Sequence, residues 1–218
     1  MNIAILTNTS ENIKELTRVT LYNKSLYAEH HGYKMLCCDM NYANYNKEIL
    51  SVMKSNLDLM RSFDVVMTMG ADTMFMNRNI KIENVLLSDD NILIAKERSS
   101  WWPINDDVMI YKCTPEVIAF YQRLIDEFDV WKMYPWRIQT HIWNLMQEDS
   151  SVKNIIRIVD SSVMNQHPNH WQLGDWIIHF YGMEVSDKIK LAQTYFNKWP
   201  DGNPVLKELH DDIRPGVL

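Results

Sequence analysis

The sequence predicts an α/β fold with a mainly parallel central sheet flanked by helices, and three observations predict it. Short apolar runs alternate with longer amphipathic stretches along the chain. The run Val65-Val66-Met67-Thr68-Met69 reads as a strand buried on both faces. Polar residues (Thr7-Asn8, Asp39, Asp72 and His179) stand at the ends of such runs, where open α/β sheets receive ligands, and suggest one shared cleft.

The elements follow in order. Ile3 to Leu6 is a short apolar strand, and TNTS after it reads as a polar turn with capping residues. A helix runs from about Glu11 to His30, and Gly32 ends it as a C′ glycine. YKMLCCD (33–39) is a second strand, closed by Asp39. Lys47 to Arg61 is helical, with Ile49, Met53, Leu57 and Met60 on one face. The strand 64–69 breaks at Gly70-Ala71-Asp72-Thr73 before the chain turns apolar again. NILIAKE (91–97) and DDVMIYKC (106–113) are further strands. Pro115 stands where a helix begins, and Val117 to Phe128 continues it. Another helix spans Trp136 to Gln147, NIIRIVD and DWIIHFYG are strand-like, and Val185 to Asn197 is the last helix. The stretch after Trp199, with Pro200, Pro204 and Pro215, is expected to wrap the surface irregularly. There is no repeat or evident linker, so residues 1–218 read as one domain.

The bulk properties exclude several classes. A net charge of −6 argues against nucleic acid as a partner. An anionic ligand would need a local device: a metal ion, a Lys or backbone N–H groups. The three cysteines, Cys37, Cys38 and Cys113, are odd in number and two are adjacent. They imply no disulfide framework and favour a reducing compartment, here taken as the cytoplasm. No run approaches roughly 18 apolar residues, so no membrane span is expected. MNIAILTNTS lacks a charged leader and reads as a first strand. The 8 Trp and 10 Tyr suit sugar or base sites, although most such rings simply pack.

Asp72 lies between the apolar flanks MTM and MFM, at a strand–strand junction. It is either a turn former or a half-buried carboxylate that needs a partner, and a divalent cation on a diphosphate is one such partner. His179 interrupts an apolar strand, either as a satisfied core residue or as a ligand. Gly182 after it permits close backbone approach, and Lys188 can meet phosphate as a point charge. An Asp with a His suits Mn²⁺ better than an all-oxygen cage does. HPNHW (167–171) holds two His without neighbouring ligands and is a weak zinc signal.

Five segments in order, NKSLYAEHHGYKM (23–35), FDVVMTMGADTMFMN (63–77), INDDVMIYK (104–112), WRIQTHIWNLM (136–146) and WQLGDWIIHFYGM (171–183), cover nearly the whole chain. This set resembles the family of fungal α-galactosyl- and mannosyltransferases and plant xyloglucan xylosyltransferases. It also resembles, more loosely, the compact enzymes with which large DNA viruses glycosylate their capsids. The resemblance implies a single GT-A, Rossmann-like domain and a retaining, metal-dependent transferase that uses a UDP-sugar with Mn²⁺ or Mg²⁺. It implies that Asp72 and His179 bind the metal. Thr7, Asn8 and Asp39 would contact uridine, and Lys24, Ala71, Gly182 and Lys188 would complete the donor site, with Lys188 on the diphosphate. Gln139 matches a residue near the anomeric carbon. Asp106, Asp107 and Asp175 are candidates for sugar hydroxyls, with solvated or capped turns as their plainer reading, and Trp101-Trp102-Pro103 is a platform, a lid or packing.

Three departures matter. The family has Asp-X-Asp where this chain reads Gly70-Ala71-Asp72, and Asn-X-Gly where it reads Asn105-Asp106-Asp107. The residue before Gln139 is Ile138 rather than an acid, so that motif offers no carboxylate nucleophile, and a front-face substitution is expected. The expected function is transfer of a hexose from a UDP-sugar to a hydroxyl of a glycan or glycoprotein. The alternative is a non-catalytic sugar-nucleotide- or glycan-binding module. A generic phosphate-loop protein fits less well, since TNTSEN contains no glycine.

Overall fold

The first strand, β1 (Ile3–Ser10), passes through a 3-10 turn (Glu11–Ile13) into α1 (Lys14–His31) and returns as β2 (Lys34–Met40). The computed structural model describes residues 1–40, 44–97 and 102–198. Helix α2 (Tyr45–Met60) leads to β3 (Val65–Met69) and, after three residues, β4 (Thr73–Phe75). Then come α3 (Ile82–Val85), β5 (Ile92–Ala95), β6 (Asn105–Lys112), α4 (Pro115–Asp126), α5 (Phe128–Trp131), α6 (Arg137–Glu148) and α7 (Ser150–Ile155). The last elements are β7 (Ile156–Val159), α8 (Ser161–Met164), a 3-10 turn (Pro168–His170), β8 (Ile177–His179) and α9 (Val185–Lys198).

Six strands form one sheet in the order β2-β1-β3-β6-β5-β7. All run parallel except β6, which is antiparallel to both its neighbours. That exception decides the site: an antiparallel strand brings its first residues to the rim where β1 and β3 deliver their last ones. β4 and β8 pair antiparallel as a separate ribbon, Thr73 opposite His179.

One apolar core lies between the sheet and α2, α4, α5, α6 and α7. It is built from the face of α2 that bears Met53, Leu57 and Met60, and from Val117, Phe120, Tyr121 and Leu124 of α4. Helix α4 starts as its sequence dictates: Thr114 caps it by accepting from the Val117 N–H, and Pro115 occupies the first turn, where its missing N–H costs nothing. The opposite core holds Tyr27, Phe75, Trp176 and Ile177 against the other sheet face. Beyond it, α9 packs on α1 and on the β4–β8 ribbon through Phe196, Ala192, Leu16 and Phe180.

Three expectations change. TNTS is the end of β1, not a turn; its backbone pairs with Cys37 to Met40, and the Thr7 hydroxyl donates to Met69 O at 2.7 Å. NIIRIVD begins in a helix, so only Ile156–Val159 is strand. DWIIHFYG joins the ribbon, not the main sheet. Trp101 and residues 199–218 lie outside the described residues.

Gly32 closes α1 at φ +72°, with its N–H on Glu29 O and the Tyr33 N–H on Ala28 O. Nothing lies within 4 Å of a Cβ built there, so the glycine serves conformation rather than space. Gly32→Ala is expected to cost about 1 kcal/mol and to lower Tm by about 2–4 °C, read by calorimetry; an unchanged Tm would show the cap is relaxed.

Candidate functional site

The turn between β3 and β4 is fixed atom by atom. The Gly70 carbonyl accepts from Lys24 Nζ (2.6 Å) and from the Thr73 hydroxyl (2.8 Å). The Ala71 carbonyl accepts from the Thr20 hydroxyl (2.6 Å), and the Asp72 carbonyl from the Phe180 N–H (3.0 Å). Thr20, Asn23 and Lys24 lie on one face of α1, where positions three and four apart are neighbours. Asn23 holds Phe75 at both its N–H (2.7 Å) and its carbonyl (2.9 Å). One helix face therefore positions both the turn and the ribbon that leaves it.

The ribbon's register sets His179 beside Asp72. His179 Nε2 is 3.3 Å from Asp72 Oδ1 and 3.4 Å from Asp107 Oδ2. One ligand atom from each of Asp72, Asp107 and His179 falls within 4.8 Å of the other two. The other ring nitrogen, Nδ1, lies 2.7 Å from the Asn165 amide oxygen. It donates there, so Nε2 faces the two carboxylates, as an N–H where no cation is held and as a lone pair where one is. Lys188 Nζ holds Asp72 Oδ2 at 2.6 Å. The donor set of one imidazole and two carboxylates, with the imidazole oriented from behind, fits a divalent cation of the Mn²⁺ type.

Burial alone would raise the Asp72 carboxyl, but the facing His179 and Lys188 outweigh it and hold the group well below the usual carboxylate range. Burial lowers His179, and Asp72 and Asp107 more than reverse this, so the imidazole is raised. The recessed position of Asp106 and the charge of Asp107 push that carboxyl up to about 7.

Gly70 explains how Asp107 joins the group. The Gly70 N–H donates to the Asp107 carbonyl at 2.7 Å, so the two residues face each other across β3 and β6. A Cβ on Gly70 would meet Asp107 Oδ1 at 2.8 Å and Asp72 Oδ1 at 3.2 Å. Gly70 is not among the glycines with positive φ. It is glycine for space: the Asp107 carboxylate occupies the volume that a side chain at position 70 would take.

A cavity of about 760 Å³ opens beside this group, lined by Asn8, Ala71, Asp106, Asp107, Gln139 and Gly182, with Trp102 and Trp136 also on its wall. The volume falls in the range typical of small-molecule sites. Gln139 Oε1 accepts from the Asp106 N–H at 3.2 Å, which ties α6 to β6. The start of α6 is strained: Trp136 and Arg137 have φ of +52° and +47°, a conformation costing about 1–3 kcal/mol for each non-glycine residue.

The remaining sequence candidates lie elsewhere. Thr7 and Lys24 are buried behind the cavity wall, Lys24 Nζ donating also to Thr7 Oγ1 at 3.1 Å. Asp39 is exposed on β2 and does not line the cavity. Asp175 accepts from the Gln172 N–H (2.8 Å) and from Gln166 Nε2 (3.3 Å), closing the turn before β8. Asn165 and Trp136 were not among the sequence candidates. Asn165 is 14 residues from the ring it orients and carries no motif; the signal for Trp136 was its place three residues before Gln139.

No family model and no curated protein matches the sequence. Solved structures do resemble the chain. A glycosyltransferase involved in the glycosylation of the major capsid of PBCV-1 is 12% identical with a TM-score of 0.74, over 89% of this chain and 100% of that one. The galactosyltransferase LgtC, in complex with donor and acceptor sugar analogues, is 9% identical with a TM-score of 0.55, over 88% and 95%. The glycosyltransferase GlyE of Streptococcus pneumoniae TIGR4 is 10% identical with a TM-score of 0.53, over 87% and 63%. The chain thus has the GT-A glycosyltransferase fold.

Burial pulls the Lys24 amine from 10.5 down to about 7, against the partial support of Asp72, Cys37 and Asp107. Between those values the unfolded chain binds a proton that the folded one does not, so stability rises with pH across the window. Urea denaturation is expected to show that rise and to lose it in Lys24→Met; an equal slope in the variant would mean the buried amine stays charged.

Proposed function

We propose that the protein is a metal-dependent glycosyltransferase that moves a hexose from a UDP-sugar to a hydroxyl of a glycan or glycoprotein, with retention at the anomeric carbon. The observation that supports it most is the convergence of Asp72, Asp107 and His179 beside a cavity at the strand ends, in a fold shared with glycosyltransferases. The capsid named for one of those neighbours suggests a viral capsid glycoprotein as the acceptor.

Asp72, Asp107 and His179 would hold the cation, which when bound supplies positive charge opposite the donor's diphosphate. Lys188 adds a point charge on the same side, already tethered to Asp72. Asn8, Ala71 and Gly182 line the donor's path. Thr7 and Lys24 serve it from behind by bracing the Gly70 turn. Asp39 would reach uridine only from the exposed edge of β2. Asp175 supports the turn before β8, and Asp106 borders the acceptor side.

In the reaction, the bond from the anomeric carbon to the diphosphate oxygen breaks and a bond to the acceptor oxygen forms on the same face. The acceptor's proton passes to the departing diphosphate. Gln139 is a neutral amide and a poor nucleophile. One lone pair of its Oε1 is taken by the Asp106 N–H, and a second remains to face the positive sugar. The protein's share is positioning and charge stabilisation. Ile138 beside Gln139 is the feature that favours a second reading, a sugar-nucleotide-binding module without catalysis. Such a module would bind the donor yet neither transfer nor hydrolyse it.

A thermal-shift screen of UDP-hexoses with and without Mn²⁺ tests the class: stabilisation is expected only when both are present, and none with any pair would refute it. The exchange between positions 70 and 107 tests the ligand set. Asp107→Gly is expected to weaken Mn²⁺ binding at least about tenfold, the loss of one charged ligand. Gly70→Asp alone is expected to fail as well, through overlap and like charge. The double variant Gly70→Asp/Asp107→Gly is expected to recover most of the affinity by calorimetry. Wild-type Mn²⁺ affinity in Asp107→Gly would remove Asp107 from the site.

A further inference from the structure

We propose that Trp136, backed by Trp102, forms the platform on which a pyranose ring of the acceptor lies, an inference that rests on the glycosyltransferase reading of the cavity. Trp136 is 64% exposed, whereas Trp131 and Trp176 are each 1% exposed. Its ring centroid lies 5.0 Å from that of Trp102, with the planes inclined by 32°, so the partly buried Trp102 backs one face of the Trp136 indole and leaves the other face open. Both rings line the cavity that Asp107 and Gln139 also line.

The backbone supports a function for this exposure. Trp136 and Arg137 are consecutive non-glycine residues with positive φ, a conformation usually left to Gly, Asn or Asp. Packing does not account for keeping a large aromatic there, because most of the ring faces solvent. The strained segment is anchored. The Trp136 carbonyl accepts from the Gln139 N–H (3.1 Å), Gln139 Oε1 accepts from the Asp106 N–H (3.2 Å), and Arg137 Nη1 reaches Asn46 Oδ1 (3.4 Å). The platform is thus tied through two hydrogen bonds to the residue next to Asp107.

Topology assigns the occupant. β1, whose end bears Asn8, and β6, whose start bears Asp107, flank β3 on opposite sides. The two Trp precede β6 and α6, on the β6 side of the Gly70 turn. A donor spanning from β1 to the carboxylates leaves its reacting carbon toward that side, where the acceptor must arrive. An indole face is apolar and negatively polarised, which complements the C–H face of a pyranose and offers nothing to a phosphate.

Saturation-transfer NMR with methyl α-D-galactoside, methyl β-D-xyloside and methyl α-L-rhamnoside, in the presence of UDP and Mn²⁺, tests the platform. Wild type and Trp136→Phe are expected to saturate the ring protons of at least one glycoside. Trp136→Ala and Trp102→Ala are expected to lose the signal about five- to tenfold, the worth of one stacking contact. The thermal shift given by UDP-hexose with Mn²⁺ is expected to persist in Trp136→Ala. Absence of saturation in wild type, or full saturation in Trp136→Ala, overturns the proposal. So does loss of the UDP-hexose shift in Trp136→Ala, which would give the rings to the nucleotide. A wild type that shows no UDP-hexose shift at all fails at the glycosyltransferase reading itself, and that failure is distinguishable because it needs no variant.

Discussion

Two carboxylates gathered around one imidazole repel each other, and much of the fold answers that constraint. Asp72 comes from the turn after β3, Asp107 from the adjacent strand β6, and His179 from a ribbon that β3 itself feeds. Their mutual repulsion is offset by Lys188 on Asp72 and by the imidazole between them. The geometry needs β6 to run against the sheet. In a fully parallel sheet the residues beside Gly70 would be the end of a strand, and Asn105 to Asp107 would lie at the opposite rim. One reversed strand thus brings a second carboxylate to the site without lengthening any loop.

The turn that carries Asp72 gains its rigidity from α1. Thr20 and Lys24 occupy successive turns of that helix and hold the carbonyls of residues 71 and 70, while Asn23 holds Phe75 on both its polar groups. Burying Lys24 completely costs desolvation, yet removing it would leave the Gly70 carbonyl beneath the site with only the Thr73 hydroxyl and a longer bond from the Thr73 N–H. The Asn-Lys pair is therefore a brace: its side chains reach backbone carbonyls and an N–H of the turn and ribbon from behind the cavity wall.

Much of this was legible in the sequence because apolar runs report burial. Val65–Met69 and Ile92–Ala95 emerge as strands because their side chains meet cores on both faces. Asp72 and His179 were legible as a pair only through the ordered motifs, since no spacing rule joins residues so far apart. What escaped was tertiary. Strand direction is invisible in DDVMIYKC, so nothing in the sequence sets Asp107 beside His179. TNTS contains turn formers, yet pairing with β2 overrode that preference. The departure at Gly70 and the one at Asp107 looked independent in sequence. Across the β3–β6 pair the two positions face each other: the Asp107 carboxylate fills the space that a side chain at position 70 would take.

The crowding of carboxylates bears on the order of events at the site. Asp106, Asp107, Glu97 and Arg137 line the cavity, Asp72 stands beside Asp107 on His179, and the chain as a whole carries −6. Among the described residues, the cations at the turn are Lys188, already committed to Asp72, and Lys24, buried with its amine drawn down to about 7. A diphosphate approaching such a surface meets repulsion that one tethered Lys does not cancel. On the proposed reading, nucleotide affinity is then conditional on a divalent ion being in place, because the carboxylates that repel the ligand are the ones that recruit the ion. That condition is on charge in a volume and not on the strand that delivers it.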